Sequence, residues 1–260
     1  MTKVLIVTRG HPFEAAPFFA MWDALPGVTW RHLEHPDATD AIAAGSVETD
    51  EVLCFYDMPG IEFERGVGAR FAIPPAAYVE GLQRLIDAGT PMLFMHHAIA
   101  GWPAWPEYAD YLGGRFLYEP TVVRGVAWPD SGYRHEVAQT LTVIDPEHPV
   151  TAGLPPTFEL VDETYLGPIF TGEVTPLLRT GAPRTDDEFY SAALAVRGEL
   201  YSRRDWHHPP GSDLAAWTKR VGAATVVYVQ PGDGPSAYEN EAYRQLLANA
   251  VKWLASTRPG

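Results

Sequence analysis

Histidine and carboxylate side chains recur in this sequence at places where the chain turns. Gly10-His11 follows the β-branched run 4–7, His96-His97 ends the apolar run Met92–Met95, and Gly232-Asp233 follows the run Ala224–Val229. Two more groups lie between them: Gly132-Tyr-Arg-His135, and Asp162-Glu163 with Tyr165 two residues on. Imidazole titrates near neutrality and carboxylates exchange protons with it, so these types suit general acid–base catalysis. They equally suit a divalent metal such as zinc, iron or manganese, and affinity order alone does not choose among those. The candidate catalytic residues are His96, His97, Asp162 and Glu163. The candidate substrate contacts are His11, Trp102, Tyr133, His135, Tyr165, His207 and Asp233.

Each candidate has a structural alternative. His96 and His97 point to opposite sides if the chain is still extended, so at most one faces a pocket and the other is packed. His11 precedes Pro12 and can simply shape a turn, and His135 opens a polar strand. His148 lies in the turn Glu147-His-Pro-Val150, and His207-His208 in a proline-rich loop that is either a lid or plain surface. One of Asp162 and Glu163 can pair with an arginine. Trp102, Trp105, Tyr108 and Tyr133 offer flat faces to sugar rings, although aromatic residues in such numbers more often fill a core. Two searches fail. Without a Gly-x-Gly-x-x-Gly or Walker loop no nucleotide cofactor is expected, and without a Gly-x-Ser-x-Gly elbow a serine hydrolase is disfavoured.

These residues need elements to hold them. Run 4–7 reads as a first central strand, 13–25 as an apolar-faced helix, 28–33 as a strand, and Asp37–Ala44 as a short helix capped by Asp37. A third strand covers 51–56, a long surface loop 61–73, and a helix opened by Pro74-Pro75 ends at Gly89. The fourth strand, Met92–Met95, runs into a Trp-rich helix that ends at Gly113-Gly114. Alternating strands and helices with short connections predict a parallel sheet with helices on both faces, and ligands of such sheets sit at the carboxyl ends of the strands. His96 then occupies a sharp strand-to-helix turn, where reactive side chains are often placed. Segments 115–129, 136–144, 158–166, 174–180 and 191–196 read as short strands of an antiparallel extension. Ala224–Val229 is the last strand and 241–255 the final helix.

A length of 260 residues fits one α/β domain covering 1–260. A net charge of −14, with no basic run, disfavours a nucleic-acid partner. The single cysteine, Cys54, excludes an intramolecular disulfide and reads as a buried strand residue. The run 3–8 is too short for a signal-peptide core, and no apolar stretch is long enough to span a bilayer, so a cytoplasmic protein without membrane contact is expected.

The string from Leu93 to Tyr108 (Leu-Phe-Met-His-His-Ala-Ile-Ala-Gly-Trp-Pro-Ala-Trp-Pro-Glu-Tyr), followed by Gly113-Gly-Arg-Phe116, resembles the ThuA-like (trehalose-utilisation) family. So do His148-Pro-Val-Thr-Ala-Gly-Leu154, Asp162-Glu-Thr-Tyr165, and the closing stretch with Tyr243-Arg and Asn249-Ala. The resemblance implies a flavodoxin-like fold of the class I glutamine amidotransferase type. It places His96 where those enzymes carry their cysteine nucleophile, so glutamine hydrolysis is not expected, and Cys54 lies on the wrong strand to replace it. Many family members carry Gly-His after the last strand, where this chain has Gly232-Asp233. The family name implies a small-molecule sugar or keto-sugar derivative as partner, and self-association into a homo-oligomer stays open. The expected function is acid–base or metal-assisted processing of a sugar derivative, by an isomerase, lyase or hydrolase. The alternative is a catalytically silent binding or scaffold protein on the same fold.

Overall fold

The structure, a computed structural model, describes residues 1–48, 50–64 and 68–259. In chain order it runs β1 (Thr2–Arg9), α1 (Ala15–Asp23), β2 (Val28–Glu34), α2 (Asp37–Ala44), β3 (Glu51–Asp57), β4 (Ile61–Glu64), β5 (Gly68–Phe71), α3 (Ala76–Asp87) and β6 (Met92–Met95). A 3-10 turn, His96–Ala100, then leads to α4 (Tyr108–Leu112), β7 (Thr121–Val123), β8 (Val126–Trp128), β9 (Gly132–Val143), β10 (Thr157–Leu166) and β11 (Thr175–Thr180). The remainder is β12 (Tyr190–Ser191), α5 (Ala192–Val196), β13 (Leu214–Val221), β14 (Ala224–Val229), α6 (Pro235–Tyr238) and α7 (Glu241–Ser256).

Five strands form the expected parallel core in the order β2-β1-β3-β6-β14. Their apolar runs alternate between two covered faces. Val4 and Ile6 of β1 pack with Trp22 of α1 and with Leu246 and Val251 of α7. Leu5 and Val7 pack on the other face with Ile42 of α2 and Leu82 of α3. A strand buried on both sides must be apolar at every position, which is why β1, β3 and β6 read as continuous runs. Asn240 caps α7 by accepting from the Tyr243 N–H at 3.0 Å.

The sheet then continues antiparallel through β13, β11, β9 and β10, with β12 also pairing on β9. Here several expectations need correcting. Residues 61–73 contain the hairpin β4–β5 rather than only loop, paired from Ile61–Phe71 to Glu64–Gly68, while 65–67 lie outside the described residues. Of 115–129, only β7 and β8 are strands, and they form a small hairpin of their own. Within 191–196 the strand stops at once, because the Ser191 hydroxyl accepts from the Leu194 N–H at 3.0 Å and starts the helix α5. Asp37 is the first residue of α2 rather than its cap, which is Pro36. The helix after β6 is a 3-10 turn and then the one-turn α4. Strand β13 is absent from the sequence reading, which assigns no element to 214–221; in the structure the Trp217 ring lies 4.5 Å from that of Tyr228 and its N–H donates to the Leu112 carbonyl at 2.6 Å.

Candidate active site

Three chain segments converge at the carboxyl ends of β6 and β14. The first is the turn after β6. His96 is fully buried with φ of +47°, a left-handed backbone that marks the sharp turn expected there. The second is 230–233 after β14, and the third is the end of β10. Between Arg134–Thr164 and Val137–Asp162 the β9–β10 register shifts, so His135 and Glu136 face the single residue Glu163. This bulge breaks the in–out alternation of β10, and Asp162 and Glu163, although adjacent, are both buried.

The imidazole of His96 is the hub. Its Nδ1–H donates to the Gln230 carbonyl at 2.8 Å, which fixes that proton in place and leaves Nε2 as the exchanging position. Nε2 lies 3.1 Å from Glu163 Oε2, 3.3 Å from Asp233 Oδ1 and 2.8 Å from the Tyr165 hydroxyl. That hydroxyl donates to Glu163 Oε2 at 2.6 Å, and His135 Nδ1 lies 3.2 Å from Glu163 Oε1. Burial disfavours the imidazolium, but the bonds to Asp233 and Glu163 outweigh it and raise the His96 pKa well above the usual range. Asp233 is correspondingly held low: burial pushes it up, and His96 more than reverses that. Burial and the neighbouring Glu163 push the Tyr165 hydroxyl up, so it stays protonated.

Asp162 does a different job. Its carboxylate accepts from the N–H groups of Gly232 at 2.6 Å, Asp233 at 3.0 Å and Glu163 at 2.8 Å, tying the loop after β14 to β10. Burial pushes its pKa up to about 6. Gly232 is required in that loop, since φ is +135° and a Cβ would collide with the Tyr243 hydroxyl.

His11 and His97 form a second pair, rings 4.6 Å apart, with His97 also 4.3 Å from the Tyr56 ring. Burial lowers both pKa values, and the Nδ1 atoms of both are buried without a hydrogen-bond partner among the described residues. His11 lines a cavity together with Glu163, Tyr165, Tyr133 and His135.

The trehalose-utilisation (ThuA) family model matches residues 68–254, more than half of the sequence. The chain belongs to the ThuA family. No curated protein matches it in sequence. A ThuA-like protein from Parabacteroides merdae is 14% identical with a TM-score of 0.68, the likeness covering 99% of this chain and 91% of that one. One from Bacteroides uniformis is 17% identical with a TM-score of 0.59, covering 97% and 90%. A cytoplasmic protein from Salmonella typhimurium is 11% identical with a TM-score of 0.57, covering 97% and 98%. At these identities the likeness concerns the fold.

In this ThuA chain the structure gathers His96, Glu163, Tyr165, Asp233, His135 and His11, with Asp162 behind them, Tyr133 on the cavity wall and His97 packed against His11 and Tyr56. It does not gather two others. Trp102 is buried against Tyr78 and His35, its rings packed over Gly60, and His207 points to solvent with its side chain 91% exposed beside Asp186. Among the described residues neither Asp162 nor Glu163 pairs with an arginine. Cys54 is buried in β3 with Sγ 3.5 Å from Met95 Sδ, and burial raises its pKa well above the ordinary thiol range. Among the described residues no helix is long and apolar enough to cross a membrane.

Sequence reasoning missed three contributors. Gln230 supplies the carbonyl that orients His96, and its amide donates to the Glu163 carbonyl at 3.1 Å. Tyr228 donates to the His96 carbonyl at 2.8 Å. Arg184, pushed down to about 10 by burial, donates to Thr164 Oγ1 at 2.8 Å and to the Tyr165 carbonyl, bracing the end of β10. The position of Gln230 at the end of a predicted strand was the available signal for the first; Tyr228 and Arg184 carried none.

Proposed function

We propose that this ThuA-family protein is an enzyme of sugar utilisation that moves protons on a sugar or keto-sugar derivative, with His96 at the centre. The observation that carries the reading is one fully buried imidazole nitrogen within 3.3 Å of two carboxylates and a tyrosine hydroxyl. The Nδ1 proton is occupied by a backbone carbonyl, so the proton on Nε2 is the mobile one, and it reaches a substrate oxygen through the Tyr165 hydroxyl, which lines the cavity. Asp233 or Glu163 takes a proton from the substrate on the other side of the exchange. The Tyr165 hydroxyl can accept from Nε2 while donating to Glu163, which links the acid to the base for the return of the proton. Isomerisation, elimination and hydrolysis all use this pairing. A cytoplasmic location belongs to the same proposal and is checked by fractionating cells.

The test is a panel of disaccharides and keto-sugars incubated with the protein and followed by mass spectrometry. Product formation is the expected result. Tight binding without product would instead support a silent binding protein.

One observation favours a second reading. The His96, Glu163 and Asp233 ligand atoms all lie within 4.8 Å of one another, and a histidine whose Nδ1–H is held by a carbonyl is the usual arrangement for ligation through Nε2. These residues would hold a divalent cation, which would act as a Lewis acid on a sugar oxygen. Elemental analysis of protein purified without a His-tag checks it: substoichiometric metal, unchanged by added zinc or manganese, removes this reading.

A further inference from the structure

The His96 cluster stands where two cavities of opposite character meet. Asp233 opens on a cavity of about 760 Å³ that Arg134 and Glu188 also line. Glu163 opens on a second cavity of about 330 Å³, walled by Met58, Phe116, Tyr118 and Val196. Both carboxylates approach the same atom, His96 Nε2. His135 borders both spaces, and the consecutive residues Leu200 and Tyr201 divide between them, Leu200 facing the apolar cavity and Tyr201 the polar one. The Tyr133 hydroxyl accepts from the Tyr201 N–H at 2.9 Å and ties this segment to β9.

The smaller cavity is unsuited to a bare sugar. The Tyr118 hydroxyl donates to Met58 Sδ at 3.0 Å and the Tyr133 hydroxyl accepts from the Tyr201 N–H, which leaves one oxygen to accept and one O–H to donate. The other polar side chains lining it, His11, His135, Glu163 and Tyr165, are those of the reactive cluster. Sugar hydroxyls placed deeper would lose water and gain few partners, which is unfavourable. Yet Phe63 and Leu200 line this cavity while remaining 55% and 62% exposed, apolar surface that a ligand can cover.

Building on the sugar-processing reading above, we infer that the substrate is a glycoside with an apolar, ring-sized aglycone. The sugar occupies the polar cavity beside Asp233, the aglycone occupies the apolar cavity beside Glu163, and the bond that joins them lies beside His135, which borders both. A symmetric disaccharide would fill only one side.

Calorimetric titration of the protein with glucose, methyl α-glucoside, phenyl α-glucoside and phenol tests this. The phenyl glucoside should bind about tenfold or more tightly than the methyl glucoside, with a more negative heat-capacity change. Leu200→Asp should bring that ratio close to one, and Leu200→Ala should reduce it part-way; the exposed position makes both compatible with folding, which melting curves verify. Equal binding of the two glucosides by the unsubstituted protein overturns the aglycone inference and leaves the sugar reading standing. Phenol binding as tightly as phenyl glucoside, or no glucoside binding at all, overturns the sugar reading and this inference with it.

Discussion

In the parallel part of the sheet, β1, β3 and β6 are covered on both faces and stop at residues whose positions the strand ends dictate, His96 among them. In the antiparallel part, β9 and β10 alternate buried and exposed side chains until the bulge at His135-Glu136, where the pattern breaks and Glu163 turns inward. The first region is a packed scaffold that fixes where the hub stands. The second is a wall that supplies Glu163, Tyr165 and part of the lining of both cavities. Substitutions in the two regions should therefore fail differently: losses of fold in the first, losses of chemistry in the second and at the hub that joins them.

The largest expected effect is at the hub. His96→Ala should lower turnover by about 10²–10⁴-fold, the usual contribution of a positioned acid or base, with only a small change in melting temperature. Glu163→Gln should follow it in direction while leaving binding affinity nearly unchanged, as measured by calorimetry. Full activity in His96→Ala would break the comparison.

Next comes the scaffold. Leu53→Ala, at a fully buried position of β3, should cost about 2–5 kcal/mol of stability in denaturant titrations while activity per folded molecule stays unchanged. Gly232→Ala belongs to both regions, because the Cβ meets the Tyr243 hydroxyl in the loop that carries Asp233. It should cost about 1–3 kcal/mol through backbone strain and also reduce turnover; a stability loss with full activity would mean that Asp233 does not need its position.

The smallest effect concerns acid. His97 is neutral when folded, its pKa lowered well below 6.5 by burial and by His11, whereas the unfolded chain titrates near 6.5. The unfolded state therefore binds more protons, and stability falls as pH drops below about 6.5. His97→Gln should show a shallower decline of melting temperature between about pH 7 and pH 5. Comparison with the unsubstituted protein isolates this histidine, because Asp162, raised to about 6 when folded, acts in the opposite direction: its contribution is present at low pH and is lost as pH rises through about 6.

The parallel half was legible because burial on both faces leaves continuous apolar runs and because strand ends are marked by glycine, proline and polar residues. That is why His11, His96 and Asp233 could be placed on one rim from sequence. The antiparallel half was less so. A bulge is a register difference between two strands far apart in the chain, so nothing local in Asp162-Glu163 says that both turn inward. Trp217 in β13 is fixed by the Leu112 carbonyl, far away in the chain, and Ser191 switches strand to helix through one cap. Trp102 and His207 look alike as candidates in sequence, since burial beneath Gly60 or exposure beside Asp186 depends on contacts far along the chain.

The central claim is that His96 carries a mobile proton on Nε2 while His11 and His97 do not. Long-range nitrogen–proton correlation spectra of the histidine side chains, recorded across the neutral range and assigned with His96→Ala, His97→Gln and His11→Gln proteins, read this directly. The account predicts both ring nitrogens of His96 protonated at pH values where His11 and His97 are neutral. A neutral His96 under those conditions, with an unprotonated Nε2 facing Glu163 and Asp233, would contradict it.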